Sequence, residues 1–212
     1  MPIAVFIEAG GRRVFASALD WPGWARSGKT EELAVAALAD YLPRYAPIVA
    51  RAGLRPPVGD LAVTERHPGM ARNADFGALG EIAPSEHAPL PAAAGARLAS
   101  LLQAAWAALD EVAAAAPEQL RKGPRGGGRD TSQIVAHVAG AEAMYARKAG
   151  LPRDKAEESA PDAALRLRAR IAAALRAPEA LVLPDKGWPP RYAARRLAWH
   201  VLDHMWEIED KS

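Results

Sequence analysis

The chain has 212 residues, enough for one large domain or two small ones. Half of them are apolar and 50 are alanine, a strong helix former that buries little surface. The net charge of +2 is spread along the chain, which leaves no basic stripe for nucleic acid, and the absence of cysteine excludes disulfides, thiolate metal sites and a cysteine nucleophile.

Ile3–Ile7 and Arg13–Ala18 are rich in Val, Ile and Phe and flank Gly10-Gly11, a hairpin turn signal. Asp20 to Gly23 reads as a turn. Thr30 is placed to cap a helix whose first turn carries Glu31 and Glu32, where the helix dipole favours acids. The helical stripe of Leu33, Ala37, Leu38 and Tyr41 runs towards residue 52, with Pro43 and Pro47 predicting a break near Tyr41–Leu42. Leu61–Glu65 is a candidate third strand. Residues 66–96, rich in Pro, Gly and Ala, read as a linker with some local structure.

Four helices are expected from Pro91 onward. The first carries Leu98, Leu101, Leu102, Ala105, Leu109 and Val112 at spacings of three and four. Pro117 to Arg129 is a break, its stretch Lys122–Arg129 reading as a solvated basic connection. Asp130 and Gln133 form a capping-box pattern opening the second helix, about 131–149. Pro161 and Asp162 open the third, with Leu167, Ile171, Ala174 and Leu175 on one face. Pro190 opens the fourth, which runs to about Ile208. The chain thus reads as α+β: a small ββ(β)α unit plus linker over 1–90, then an all-α four-helix bundle over 91–212. No uncharged apolar run approaches the ~18–20 residues of a membrane span, and the first eleven residues lack the pattern of a signal peptide. A cytoplasmic protein with no membrane partner is the expectation.

Chemistry concentrates on three of the five histidines. His200 and His204 are four residues apart on one helix and project from the same face. His137 lies mid-helix in the second bundle helix, on a face with Ile134, Ala141 and Met144. If these helices are neighbours, three neutral imidazoles can grip one cation and leave positions for water, the pattern of a catalytic zinc, nickel or iron site. The bland alternative is a set of hydrogen-bonded core histidines. On the helix wheel Arg196, Asp203 and Glu207 lie within about 60° of His200. Arg196 is a candidate to hold a carboxylate of substrate or cofactor. Asp203 and Glu207 are candidates to orient an imidazole or move a proton, although charged helix residues more often face water. Tyr145, two turns after His137, is within reach of the same site. Trp199 and Trp206 point the other way and read as packing groups. His67 and His87 receive no role.

The segments Asp130–Glu142 (DTSQIVAHVAGAE) and Arg195–Ile208 (RRLAWHVLDHMWEI) resemble the DinB-like (YfiT-like) superfamily. That resemblance covers about residues 91–212. It implies a four-helix bundle with a three-histidine metal site, one ligand from the second helix and an HxxxH pair from the last, hence His137, His200 and His204. It further implies a thiol-dependent S-transferase, isomerase or hydrolase acting on a small electrophilic substrate, with a low-molecular-weight thiol such as bacillithiol or mycothiol as cofactor, and a homodimer. The rival class is a non-catalytic binding or regulatory protein whose metal is structural or absent.

Gly23–Thr30 (GWARSGKT) matches the G-x-x-x-x-G-K-[ST] phosphate loop letter for letter. A nucleotide site also needs a parallel sheet and an acidic residue ending a second apolar strand, and neither is read here, so the match is taken as coincidence. Residues Ile3 to about Leu54 resemble instead a HicB-like antitoxin domain, through Trp21-Pro22-Gly23 and the helix start Gly28-Lys29-Thr30-Glu31-Glu32. This implies a partner-binding surface without catalytic residues.

Overall fold

The computed structural model describes residues 2–123, 127–155 and 159–212. The fold is mixed α+β, with a four-stranded sheet in the N-terminal part and, among the described residues, seven α-helices. Strands β1 (Ile3–Ala9) and β2 (Val14–Ala18) form the expected antiparallel hairpin, with Val5 opposite Ala18 and Ala9 opposite Val14. Asp75 closes its loop, accepting from the backbone N–H of Gly11, Arg12 and Arg13 at 3.0, 2.7 and 3.1 Å. Strand β3 (Ala25–Gly28) pairs antiparallel with β2, and β4 (Leu61–Arg66) pairs parallel with β1, giving the order β3-β2-β1-β4.

Helices α1 (Glu31–Asp40) and α2 (Leu42–Arg51) break at Tyr41, as the prolines predict. Thr30 caps α1 by accepting from the Leu33 N–H at 3.3 Å. These helices cover the sheet face that carries Val5, Ile7, Val14 and Ala16, with Trp24 stacked on Tyr45 beneath them. The expected linker is mostly packed chain. The short helix α3 (Arg72–Asp75) and the turn Pro84–His87 bury Ala71, Ala74, Leu79 and Ala83.

Four longer helices follow: α4 (Ala92–Ala115), α5 (Thr131–Lys148), α6 (Ala163–Arg176) and α7 (Pro190–Lys211). At the start of α5 the Asp130 N–H donates to Gln133 Oε1 at 3.0 Å. Residues 124–126 of the expected basic loop lie outside the described residues; of the rest, Lys122 pairs with Asp130. By length and composition α4 could cross a membrane, but half of its apolar window is buried here, with Leu98, Leu101, Leu102 and Leu109 in the core. A buried tie joins three of these helices. Trp106 Nε1 on α4 donates to Glu142 on α5 at 2.6 Å, and Arg168 on α6 donates to Glu142 at 3.0 Å and to Asp110 at 2.9 Å.

Helix α7 is central and buried on nearly every side between Tyr192 and Ile208, so it is apolar around most of its circumference. Trp199 leaves the bundle side and packs edge-on against Phe15 of β2, ring centroids 5.9 Å apart. Arg195, fully buried, reaches the same sheet face. It donates to Glu8 on β1 at 3.2 Å, to Glu86 at 2.7 and 2.8 Å, and to the Glu81 carbonyl at 2.8 Å. The hydrophobic core is therefore continuous from the sheet, across residue 90, into the long helices.

The Gly23–Thr30 segment has a structural explanation at each of its glycines. Gly23 has φ +94°, and a side chain there would meet Leu202 Cδ1 of α7 at 2.5 Å. Gly28 lets the strand approach the backbone of Leu33 and Ala34 at the start of α1. Between them, residues 25–28 are extended and paired with β2, so this backbone cannot curl around a phosphate. The sheet does contain a parallel pair, β1 with β4, but on the opposite side from this segment. Gly23→Ala is expected to cost about 1–3 kcal/mol in denaturant unfolding, from overpacking and backbone strain. Lys29→Ala, on an exposed residue, is expected to stay within about 0.5 kcal/mol. Neither protein should bind a fluorescent ATP analogue. Tight binding by wild type that Lys29→Ala abolishes would restore the phosphate-loop reading.

Candidate metal centre

The packing of α5 on α7 brings His137, His200 and His204 together. Each offers a ring nitrogen, and these atoms all lie within 4.8 Å of one another. Ring centroids are 5.1 Å apart for His137–His200, 4.9 Å for His137–His204 and 4.6 Å for His200–His204. Among the described residues this is the one cluster of His, Asp or Glu with the geometry to hold a metal ion.

The three rings have different surroundings. The buried stripe of α5 runs through Thr131, Ile134, Val138, Ala141 and Tyr145, and His137 sits at its border, roughly 80° from its centre. Met144 lies further round and is exposed, so it does not share a buried face with Ile134 and Ala141 as the sequence suggested. His200 is buried, and its Nδ1 has no hydrogen-bond partner. Burial, reinforced by the nearby charges of His204, Arg196 and His137, pushes its pKa down to about 2, so the ring is neutral. His137 is likewise lowered, by burial first and then by Arg129 and His204.

His204 is oriented by Glu207, one turn on, at 2.7 Å from Nδ1. Burial pushes the Glu207 carboxyl up, but hydrogen bonds from Lys211 and His204 outweigh it and hold the group below the usual carboxylate range. An ionised carboxylate only accepts, so His204 Nδ1 carries a proton, and Nε2 is the atom left to act as a ligand when the ring is neutral. A carboxylate behind a histidine in this way fixes tautomer and ring angle, as in many metal sites. A neutral buried imidazole with an unpartnered nitrogen, a second held by a carboxylate and a third at a half-open border form a donor set that fits a borderline divalent cation such as zinc.

The remaining candidates separate. Asp203 turns to β3, where Arg26 Nη1 donates to it at 3.0 Å, and takes no part in the imidazole cluster. Arg196 lies over the rings of Tyr145 and Trp199, 4.8 and 4.7 Å from their centroids. Tyr145 meets His200 edge-on at 5.6 Å, and burial raises its pKa against the opposing charge of Arg196. Trp199 and Trp206 are buried packing groups as expected, and Trp206 packs on Tyr41. His67 sits near Glu81 and His87 is exposed; neither joins the cluster.

Two neighbours escaped the sequence reading. Trp188 lies beside Tyr145, ring centroids 5.0 Å apart and planes tilted by 42°, placed there by a hydrogen bond from its backbone N–H to the Lys148 carbonyl at the end of α5. Nothing in the local sequence signals this long-range contact. Lys211 donates to Glu207 at 2.5 Å, and the signal that could have found it is their i,i+4 spacing. No protein-family model, curated protein or solved structure gives a significant match to the chain.

Proposed function

We propose that the chain is a metal-dependent enzyme of the DinB-like kind, in which His137, His200 and His204 hold a divalent cation, zinc, nickel or iron. Its reaction would be a thiol-dependent transfer, isomerisation or hydrolysis on a small electrophilic substrate. The observation that carries this reading is the convergence of three imidazole nitrogens within 4.8 Å, drawn from α5 and α7. The order of the ligands, one from the second long helix and a pair from the last, supports the DinB-like assignment, as does the mutual packing of α4 to α7.

The chemistry supplied at such a centre is Lewis acidity, which lowers the pKa of a coordinated thiol or water towards neutrality. The protein has no cysteine, so a thiolate nucleophile comes from a low-molecular-weight thiol. Glu207 holds the ring of His204 in one tautomer. His137 and His204 are half-buried, which leaves an approach from solvent, while Tyr145 and Trp188 form an aromatic wall beside His200. The rival reading, in which a HicB-like sheet docks a partner, finds less support. One sheet face is covered by α1 and α2, and the other meets Trp199 and Arg195 of the chain itself.

Elemental mass spectrometry on untagged protein tests the proposal. One tightly held metal per chain, lost in His204→Ala, is the expected result. No metal in either protein, even after reconstitution, would make the histidines core residues and favour the binding-protein reading.

A further inference from the structure

The two buried arginines among the described residues, Arg168 and Arg195, are satisfied by acids, and the half-buried Arg196 beside the histidines is not. Arg195 is saturated by Glu8, Glu86 and the Glu81 carbonyl. Arg168 has Glu142 and Asp110; Arg26 pairs with Asp203 through Nη1, while its Nε and Nη2 lie against the rings of Tyr41 and Trp206 without a hydrogen bond. Arg196 has no carboxylate partner among the described residues, and its Nη1 is buried without any hydrogen-bond partner. Its guanidinium lies over the rings of Tyr145 and Trp199 and also serves the Tyr145 hydroxyl, a neutral partner. Ring faces fix the plane of a guanidinium through cation–π attraction but accept no hydrogen bond in that plane. Arg196 stands one helical turn before His200, and neighbours at that spacing lie about 5–6 Å apart at Cβ.

The balance of charge around the cluster points the same way. Its one carboxylate, Glu207, is engaged by His204 and Lys211, and Asp203 is turned away to Arg26. Arg129 adds a second cation near His137 and His200. The site is electropositive before any metal is counted.

We infer that the ligand received at the histidine centre is a short-chain acid, whose donor atom meets the centre while its carboxylate pairs with Arg196. This inference rests on the metal reading and deepens it by naming a substrate or cofactor class. A planar carboxylate matches the guanidinium edge, and a charge-assisted pair of this kind contributes on the order of tenfold to a hundredfold in affinity.

The test uses the full chain substituted with cobalt(II), whose visible spectrum reports thiol coordination, with metal content measured on the same samples. The probes are 3-mercaptopropionate and its neutral isostere 3-mercaptopropionamide. Wild type is expected to bind the acid at least tenfold more tightly than the amide. Arg196→Gln should bring that ratio to about one with cobalt content unchanged, and Arg196→Lys should recover part of it. Equal affinity for the two probes in wild type would overturn the inference by itself, whatever the variants do, and so would a ratio that survives in a folded Arg196→Gln. Failure of the protein to take up cobalt at all is a separate result: it would overturn the metal reading and this inference with it.

Discussion

Arg195→Met is expected to destabilise the protein by about 3–5 kcal/mol, the cost of breaking a buried ionic cluster by removing one partner. The side chain is fully buried, and so are the two carboxylates it serves, Glu8 on β1 and Glu86 in the turn before α4. Burial alone lowers an arginine pKa, but Glu86 and Glu8 outweigh it and raise that of Arg195, so the cation is permanent. Without it, Glu8 keeps its hydrogen bonds from the N–H groups of Gly80 and Glu81, at 2.8 and 3.0 Å, and Glu86 keeps that from Ala83 at 2.8 Å. Neither keeps a counter-charge. Methionine fills the volume, so the loss is electrostatic rather than a cavity. Arg191→Met is the control, since that residue reaches only the Pro89 carbonyl at 3.3 Å in an exposed bond; it should change stability by less than about 1 kcal/mol. Urea midpoints at constant slope would measure both. Adding Glu86→Gln to Arg195→Met should recover part of the loss, because one of the stranded charges is gone. A loss below about 1 kcal/mol for Arg195→Met would show that the acids are rescued by water and that the cluster does not hold sheet and helix together.

That cluster also marks where sequence reasoning ends. Local signals were readable: Gly10-Gly11 for the hairpin, Thr30 for the start of α1, the prolines for the break at Tyr41, Gln133 for the entry to α5, and Pro190 for α7. The His200/His204 pair was legible because helical spacing is a local property, and Glu207 behind His204 follows from the same geometry. Partners chosen by tertiary packing were not. Asp203 lies within about 60° of His200 on the wheel, inside the same arc as Glu207, yet α7 is enclosed on nearly all sides, and β3 presents Arg26 to it. Strand β3 itself, four residues long, was concealed within a loop-like motif. Glu8 reads as an exposed charge near a hairpin end but occupies a wholly buried strand position, because its acceptor role is defined by residues 72 to 187 positions away. Residues 66–96 looked like a linker because their small side chains carry no periodicity, while their burial comes from the sheet and α7.

The second large effect is expected at the histidines. Adding zinc to metal-free wild type should raise its unfolding free energy by about 2.7 kcal/mol once free metal is a hundredfold above Kd, because the unfolded chain has no assembled site to bind it. For a chain of this size that corresponds to a rise in Tm of about 5–11 °C, at roughly 2–4 °C per kcal/mol. His200→Ala should abolish the rise, since it removes the buried ring whose Nδ1 has no partner within the protein. Glu207→Ala tests the orienting carboxylate and should behave differently. All three imidazoles remain, so the rise persists, but the metal titration should shift to roughly 10–100-fold higher concentration because nothing then fixes the His204 ring. A structural effect of the substitution would lower the melting temperature of the metal-free protein and leave the titration midpoint in place. An orienting role moves the midpoint, and Glu207→Asp, whose shorter side chain keeps the charge but loses reach to Nδ1, should fall between. If zinc raises the melting temperature of His200→Ala as much as that of wild type, the metal is bound elsewhere and the three histidines are not its ligands.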